Sequence, residues 1–424
     1  MWSTFGASQQ GGTHIQMNLP CQDASLCREG KGYSIAAVAD GHGSRKHFRS
    51  GKGSELACMV ACDCMEALLE HIKPKKAPTE EEIQLLKGQI YLNWQHVVKL
   101  DVEQNPWTAE ELKEQAALLK PEEYENLMGR ANVWLPYGTT ILTILVTENF
   151  WLAVQLGDGD MLTFSPKGDI TWPMPESNVN QGHFTASLCM SDPMPEFRHY
   201  ISESFPAAFL LYTDGIEKAF PARGRQLSEF LYAIWKVVYA GKLSEVEKAL
   251  TAVAHLSPVK DDATIAGIID CQVSIEKPAF EEMKRLEQIA RIEAQISEVV
   301  STMEYNQSCL QRLECRTADD QFAAMEMEQI ILQCAQQIEQ LKNQTKQLMQ
   351  NEHNAETTGT IHTAKDANIH CDDRIPEPQN TTSTDEACEE EEETATLFLH
   401  DDPQLTWTLP PKKEDGEVSD PDNI

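Results

Sequence analysis

Three apolar runs in this chain each lead into an Asp-Gly pair: SIAAVA before Asp40-Gly41, WLAVQLG before Asp158-Gly159, and AFLLYT before Asp214-Gly215. A fourth acidic pair, Asp261-Asp262, stands directly before the run ATIAGIID. Short runs rich in aliphatic and β-branched residues read as strands. A glycine after the carboxylate lets the backbone turn sharply and come close to a ligand. Any single Asp-Gly is the ordinary mark of a turn. Four acidic strand ends in one domain constrain the fold more tightly, because aligned strands bring several carboxylates to one edge of a sheet. Carboxylates so placed repel, and protonation or bound cations relieve the repulsion. Hard oxygen ligands suit Mg²⁺ or Mn²⁺ rather than zinc, and no His/Cys set with zinc-ligand spacing competes.

The same apolar runs, rich in aliphatic or β-branched residues and bounded by Gly, Asp or Asn, predict strands at 33–39, 140–147, 150–156, 207–213 and 264–270. Glu148 and Asn149 alone separate two of these, which predicts a β-hairpin. Amphipathic periodicity predicts helices over 51–72, 80–102, 109–119 and 227–252. Long helices interrupting antiparallel strands point to an α+β layered sandwich, two sheets with helices outside. Residues 1–272 form this first region.

Over 276–350 the pattern changes. Ile289, Ile292, Ile296, Val299 and Met303 alternate steps of three and four, and after a polar break at Arg316–Asp320 the alternation resumes from Met327 to Leu348. A helical hairpin and an intermolecular coiled coil both satisfy this seam, so a homo-oligomer or a partner helix is open. Residues 351–424 hold 20 acidic and 4 basic residues, a net −16 that is half the chain's −32. Such a segment buries too little apolar surface to offset its ordering entropy and is expected to be disordered. An apolar island at 396–411, including Phe398 and Trp407, reads as a docking peptide within it.

The acidic balance excludes two classes of partner. A chain with 67 acidic and 35 basic residues lacks the cationic footprint for nucleic acid or for anionic membranes. No apolar run is long enough to span a bilayer, and MWSTFGASQQGG carries no basic segment followed by an apolar one, so no secretory signal is expected. Twelve cysteines without a disulfide-like framework suit a reducing cytoplasm. Cys58, Cys62 and Cys64 read as buried thiols of one helix.

Asp40-Gly41-His42-Gly43, Gly138-Thr139-Thr140, Gly157-Asp158-Gly159, Thr213-Asp214-Gly215 and Asp261-Asp262-Ala263-Thr264, taken in order, resemble the motif series of the protein phosphatase 2C family. The opening from Gly12 to Asp23 is similar to the first motif of its bacterial-type branch. The resemblance covers roughly residues 5–270. It implies a metal-dependent serine/threonine phosphatase with an α-β-β-α sandwich and two Mg²⁺ or Mn²⁺ ions, with a third linked to Asp158. By the same resemblance Asp40 bridges the two metals, Asp214 and Asp261 complete one shell, the Gly41 carbonyl joins the other, and Asp23 holds metal-bound water. A metal-bridging hydroxide then attacks phosphorus directly, and His42 acts as the general acid. His47 reads as a surface helix residue. Where many members carry a phosphate-clamping Arg, this chain has His14, and Arg45 and Arg49 are candidate substitutes. Gln22 and Asp262 are two further departures, replacing Glu and Asn.

The expected activity is hydrolysis of phosphoserine and phosphothreonine on proteins, opposite a cognate kinase in cytoplasmic signalling. Two alternatives follow from the same residues: a pseudophosphatase scaffold that binds a kinase or phosphoprotein without turnover, and an adaptor working through the helices at 276–350.

Overall fold

The structure, a computed structural model, describes residues 1–72, 76–128, 132–176, 185–220, 223–313 and 317–358, with 397–398 and 406–407. From the N-terminus the elements are β1 (Trp2–Gln9), α1 (Gly12–Gln16), β2 (Ala24–Gly30), β3 (Tyr33–Ala39), α2 (Ser50–His71), α3 (Glu80–Gln104), α4 (Ala109–Leu118) and α5 (Pro121–Met128). They continue with β4 (Ile141–Thr147), β5 (Trp151–Leu156), β6 (Asp160–Phe164), β7 (Ile170–Thr171), β8 (Arg198–Ser202), β9 (Ala208–Tyr212), α6 (Asp214–Glu217), α7 (Arg225–Tyr239), α8 (Leu243–Leu256) and β10 (Ala263–Asp270). A second unit begins at Phe280 and contains α9 (Phe280–Arg312) and α10 (Ala318–Thr358).

Two antiparallel five-stranded sheets form the first unit, in the orders β2-β3-β4-β5-β8 and β1-β10-β9-β6-β7. Side chains alternate across a strand, and in β3 both faces are covered. Ala36 and Val38 pack with Leu142, Ile144, Phe209, Leu211 and Ile268 between the sheets. Ile35 and Ala37 join Leu145, Leu152, Ala57, Ala61 and Trp94 in the layer against α2 and α3. On the far side α8 packs on β1 and β10. The expected α-β-β-α sandwich is therefore present.

All five predicted strands and the 148–149 hairpin are found. β1, β2, β6, β7 and β8 were not foreseen, and four of these are sheet edges. The helix expected over 227–252 is two helices. Gly241 adopts φ +70, Gly241 N–H donates to Val238 O at 2.9 Å and Lys242 N–H to Val237 O at 2.8 Å. This Schellman pair closes α7. Thr79 and Thr108 start α3 and α4 with capping boxes, each accepting from a Glu backbone N–H three residues on and donating its own N–H to that Glu side chain.

Two side chains are placed otherwise than expected. His47 is buried at 6% exposure, its Nδ1 on Leu135 O, because the 3-10 turn Arg45–His47 tucks under the segment 135–138. Arg49 belongs to the scaffold. Its guanidinium donates to both oxygens of Glu111 at 2.8 and 2.9 Å, to Asn105 O at 2.6 Å and to Tyr137 Oη at 3.1 Å, and lies 4.6 Å from the Trp107 ring centre.

In the second unit α9 and α10 pack on each other, and Arg285 Nη1 of α9 donates to Leu348 O of α10 at 3.4 Å. Ends far apart in sequence thus meet, giving an antiparallel hairpin. Ile289, Cys334, Ile338 and Leu341 of the expected seam are buried. The helix runs on to Thr358, past the expected end at 350. The expected acidic tail lies outside the described residues beyond that point, as does the island at 396–411 apart from a short antiparallel ladder, β11 (Leu397–Phe398) with β12 (Thr406–Trp407). No helix among the described residues is long and apolar enough to cross a membrane.

Arg49→Lys loses the planar fork and should lower thermal stability by about 2 kcal/mol without changing affinity for a phosphorylated ligand; differential scanning calorimetry checks this. Leu341→Ala should cost the helical hairpin about 2 kcal/mol, read as earlier loss of helicity by circular dichroism.

Candidate metal centre

Antiparallel register explains why residues far apart in sequence converge. β3 ends where β2 and β4 begin, with Ala39 opposite Ala24 and Val38 opposite Leu142. β5 ends opposite the start of β4, Leu156 facing Ile141. In the other sheet β9 ends at Tyr212, opposite both Asp160 of β6 and Ile265 of β10. Asp40, Asp158, Asp214 and Asp261 are carried by these ends, and all four line one cavity of about 190 Å³.

Local hydrogen bonds hold the Asp40 turn. Asp40 N–H donates to Thr140 Oγ1 at 2.9 Å, Thr139 Oγ1 donates to Asp40 O at 2.9 Å, and His42 N–H donates to Gly138 O at 3.0 Å. This is the structural reason for the Gly138-Thr139-Thr140 triplet. Two other glycines are required by space or conformation. A Cβ on Gly215 would lie 1.8 Å from Asp262 O, and Gly157 adopts φ +112.

Carboxylate oxygens of Asp40, Asp158 and Asp214 lie within 4.8 Å of one another. Asp158 Oδ1 and Asp214 Oδ1 are buried with no hydrogen-bond partner. Burial, with mutual repulsion among the acids, pushes the Asp40 carboxyl far above the usual range and raises Asp214 as well. Unpartnered carboxylate oxygens facing this cost are the donor set that a hard divalent cation fits.

The remaining predicted residues divide. Asp261 lines the cavity, and its Oδ2 lies 3.2 Å from Lys218 Nζ. Gly41 and His42 line it too. Asp23 is buried and accepts from Thr213 Oγ1 at 2.7 Å, and burial followed by the Asp262 charge raises its carboxyl. His14 lines the cavity with Nδ1 2.9 Å from Asp262 Oδ1, a contact that raises the imidazole above its ordinary value. Neither Arg45, exposed on its turn, nor Arg49 is part of the lining. Burial, then Lys46, lowers His42 to about 4, so its ring is neutral at pH 7.

Sequence reasoning missed two residues and the partners of a third. Lys218 contacts Asp214 Oδ2 at 2.7 Å, and its signal was the i,i+4 spacing from Asp214. Thr185 Oγ1 donates to Asp158 Oδ2 at 2.7 Å, with no local sequence signal. Asp262 is a junction: it accepts from Gly11 N–H and Gln22 N–H, both at 2.6 Å, as well as facing His14.

The family model for protein phosphatase 2C matches residues 10–253. Among solved structures, RsbX in complex with magnesium is similar at 16% identity and a TM-score of 0.32, covering 63% of this chain and 96% of that one. The catalytic domain of the serine/threonine phosphatase PstP with two manganese ions is similar at 12% identity and a TM-score of 0.37, covering 63% and 97%. PppA of Pseudomonas aeruginosa is similar at 15% identity and a TM-score of 0.36, also covering 63% and 97%. No curated protein sequence matches the chain. With the family model spanning more than half of the sequence, and the motif residues of both sheets gathered around one cavity, the chain belongs to the protein phosphatase 2C family of serine/threonine phosphatases.

Proposed function

We propose that this chain hydrolyses phosphoserine and phosphothreonine on proteins with Mg²⁺ or Mn²⁺ held by Asp40, Asp158 and Asp214. The clustering of these three carboxylates within 4.8 Å, with two of their oxygens buried and unpartnered, carries the reading. Bound there, such a cation supplies charge for the phosphoryl oxygens and a more acidic water. Asp261 and the Gly41 carbonyl would be further oxygen ligands, and Asp23 would orient water behind them.

The other residues bind and handle protons. His14, its Nδ1 turned to Asp262, leaves Nε2 about 4.0 Å from where a Cβ on Gly43 would stand, at the cavity wall. It is the side chain placed to contact phosphate, since neither Arg45 nor Arg49 lines the cavity. His42, neutral at pH 7, offers a ring N–H that hands a proton to the departing Ser or Thr oxygen. The scaffold alternative expects Asp40 or Asp214 to be lost, and both are present. A cytoplasmic setting, with a cognate kinase supplying the substrate, completes this reading, and the free thiols of Cys58, Cys62 and Cys64 agree with a reducing compartment.

With Mn²⁺ the chain should hydrolyse a phosphothreonine peptide, and a chelator should abolish the activity. Asp40→Asn and Asp214→Asn should each lower kcat by about 100-fold or more; activity surviving both changes would overturn the assignment. His42→Ala should cost about 100-fold on the peptide but far less on p-nitrophenyl phosphate, whose leaving group needs no proton. Equal losses on the two substrates would remove His42 from the proton transfer.

A further inference from the structure

The apolar island near the C-terminus has a place on the first unit. Its strands β11 and β12 pair with Leu397 opposite Trp407 and Phe398 opposite Thr406. The chain reaches them only after residues 280–394, which make up the second unit, yet the ladder groups with residues 1–279. Within that first unit β12 lies against α7. A two-stranded ladder is marginal by itself and needs an apolar surface to rest on.

That surface is present on α7. Tyr232, Trp235 and Tyr239 stand at i, i+3 and i+7 and so share one helix face. The first two rings stack at 5.3 Å and the next pair lies 5.2 Å apart. A helix in an outer layer ordinarily keeps a solvated side. From Leu227 to Val238, however, every position of α7 is buried or half-buried, and α8 and β12 are among the elements that cover it. Trp235 is 3% exposed, and its Nε1 has no hydrogen-bond partner among the described residues. An indole donor so placed suits a backbone carbonyl at the edge of a strand. Charge matches as well. Asp401 and Asp402 stand in the connection between β11 and β12, while Arg225 and Lys236 flank the aromatic face, seven and four positions from Tyr232.

We propose that the aromatic face of α7 is a docking surface for this chain's own C-terminal ladder, which acts as an internal peptide ligand of the phosphatase domain. The occupant is the tail of the same chain, because tethering raises its effective concentration at α7 above that of any free peptide or second copy. Docking keeps water from a row of aromatic rings that would otherwise form an adhesive patch. It stands apart from the metal-dependent reading, since α7 contributes no residue to the lining of the acid cavity.

Hydrogen exchange on the full chain tests this directly. Trp407→Ala removes the largest apolar side chain of the island and should speed exchange of the α7 amides by about tenfold or more, with β3 and β4 unchanged. A synthetic peptide of residues 396–411 should restore protection to that variant and leave the wild-type chain as it was. Equal α7 exchange in variant and wild type overturns the proposal, as does a peptide that protects neither chain. Protection of wild-type α7 that fades on dilution assigns the face to the tail of a second copy and overturns docking within one chain. Should Trp407→Ala loosen β3 and β4 as well, Leu397→Ser, across the ladder from it, carries the same test with the same outcomes.

Discussion

Carboxylates gathered around one cavity from the strand ends of two sheets repel each other, and much of the surrounding structure answers that repulsion. Burial raises the cost by withdrawing water, which is why Asp23, Asp40 and Asp214 are all pushed upward. Several of the acids have a side-chain partner. Thr213 donates to Asp23, Thr185 to Asp158, and Lys218 to Asp214 and Asp261. Asp262, supplied with two backbone N–H groups and His14, is held below the usual range. What the protein leaves unanswered, the buried Oδ1 atoms of Asp158 and Asp214, is what a cation completes.

Burial on both faces is what made strands legible. β3, β4, β5, β9 and β10 are buried almost throughout and read as unbroken apolar runs. The edge strands β1, β2 and β8 mix exposed and half-buried positions, and their Ser, Arg and Gly residues resemble loops. β7 is two residues long and β6 opens on an Asp, so neither offers a pattern to count. The fused helix over 227–252 failed for a different reason. A glycine inside an amphipathic stretch is tolerated or terminating according to its φ, and composition alone does not distinguish these.

The site divided along similar lines. The aspartates announced themselves through strand ends and glycines, which are local signals. Partnerships were not local. Arg49 looked available beside the Asp40 turn, but its guanidinium is taken by Glu111, which also caps α4. His47 looked like a surface residue, but the segment 135–138 folds over it. His14 sits where a phosphate contact was sought, and only the structure supplies the reason for its orientation, the Asp262 carboxylate 248 positions further along the chain.

That last contact has a temporal meaning. Asp262 ties Gly11, His14 and Gln22 to the start of β10, and β10 is the strand between β1 and β9. A nascent chain holding every residue up to the middle of α8 still lacks the junction and the central partner of its first strand. Contacts of such long sequence separation close late. The chain synthesised so far also lacks Asp261 and Asp262, and with them one wall of the acid cavity.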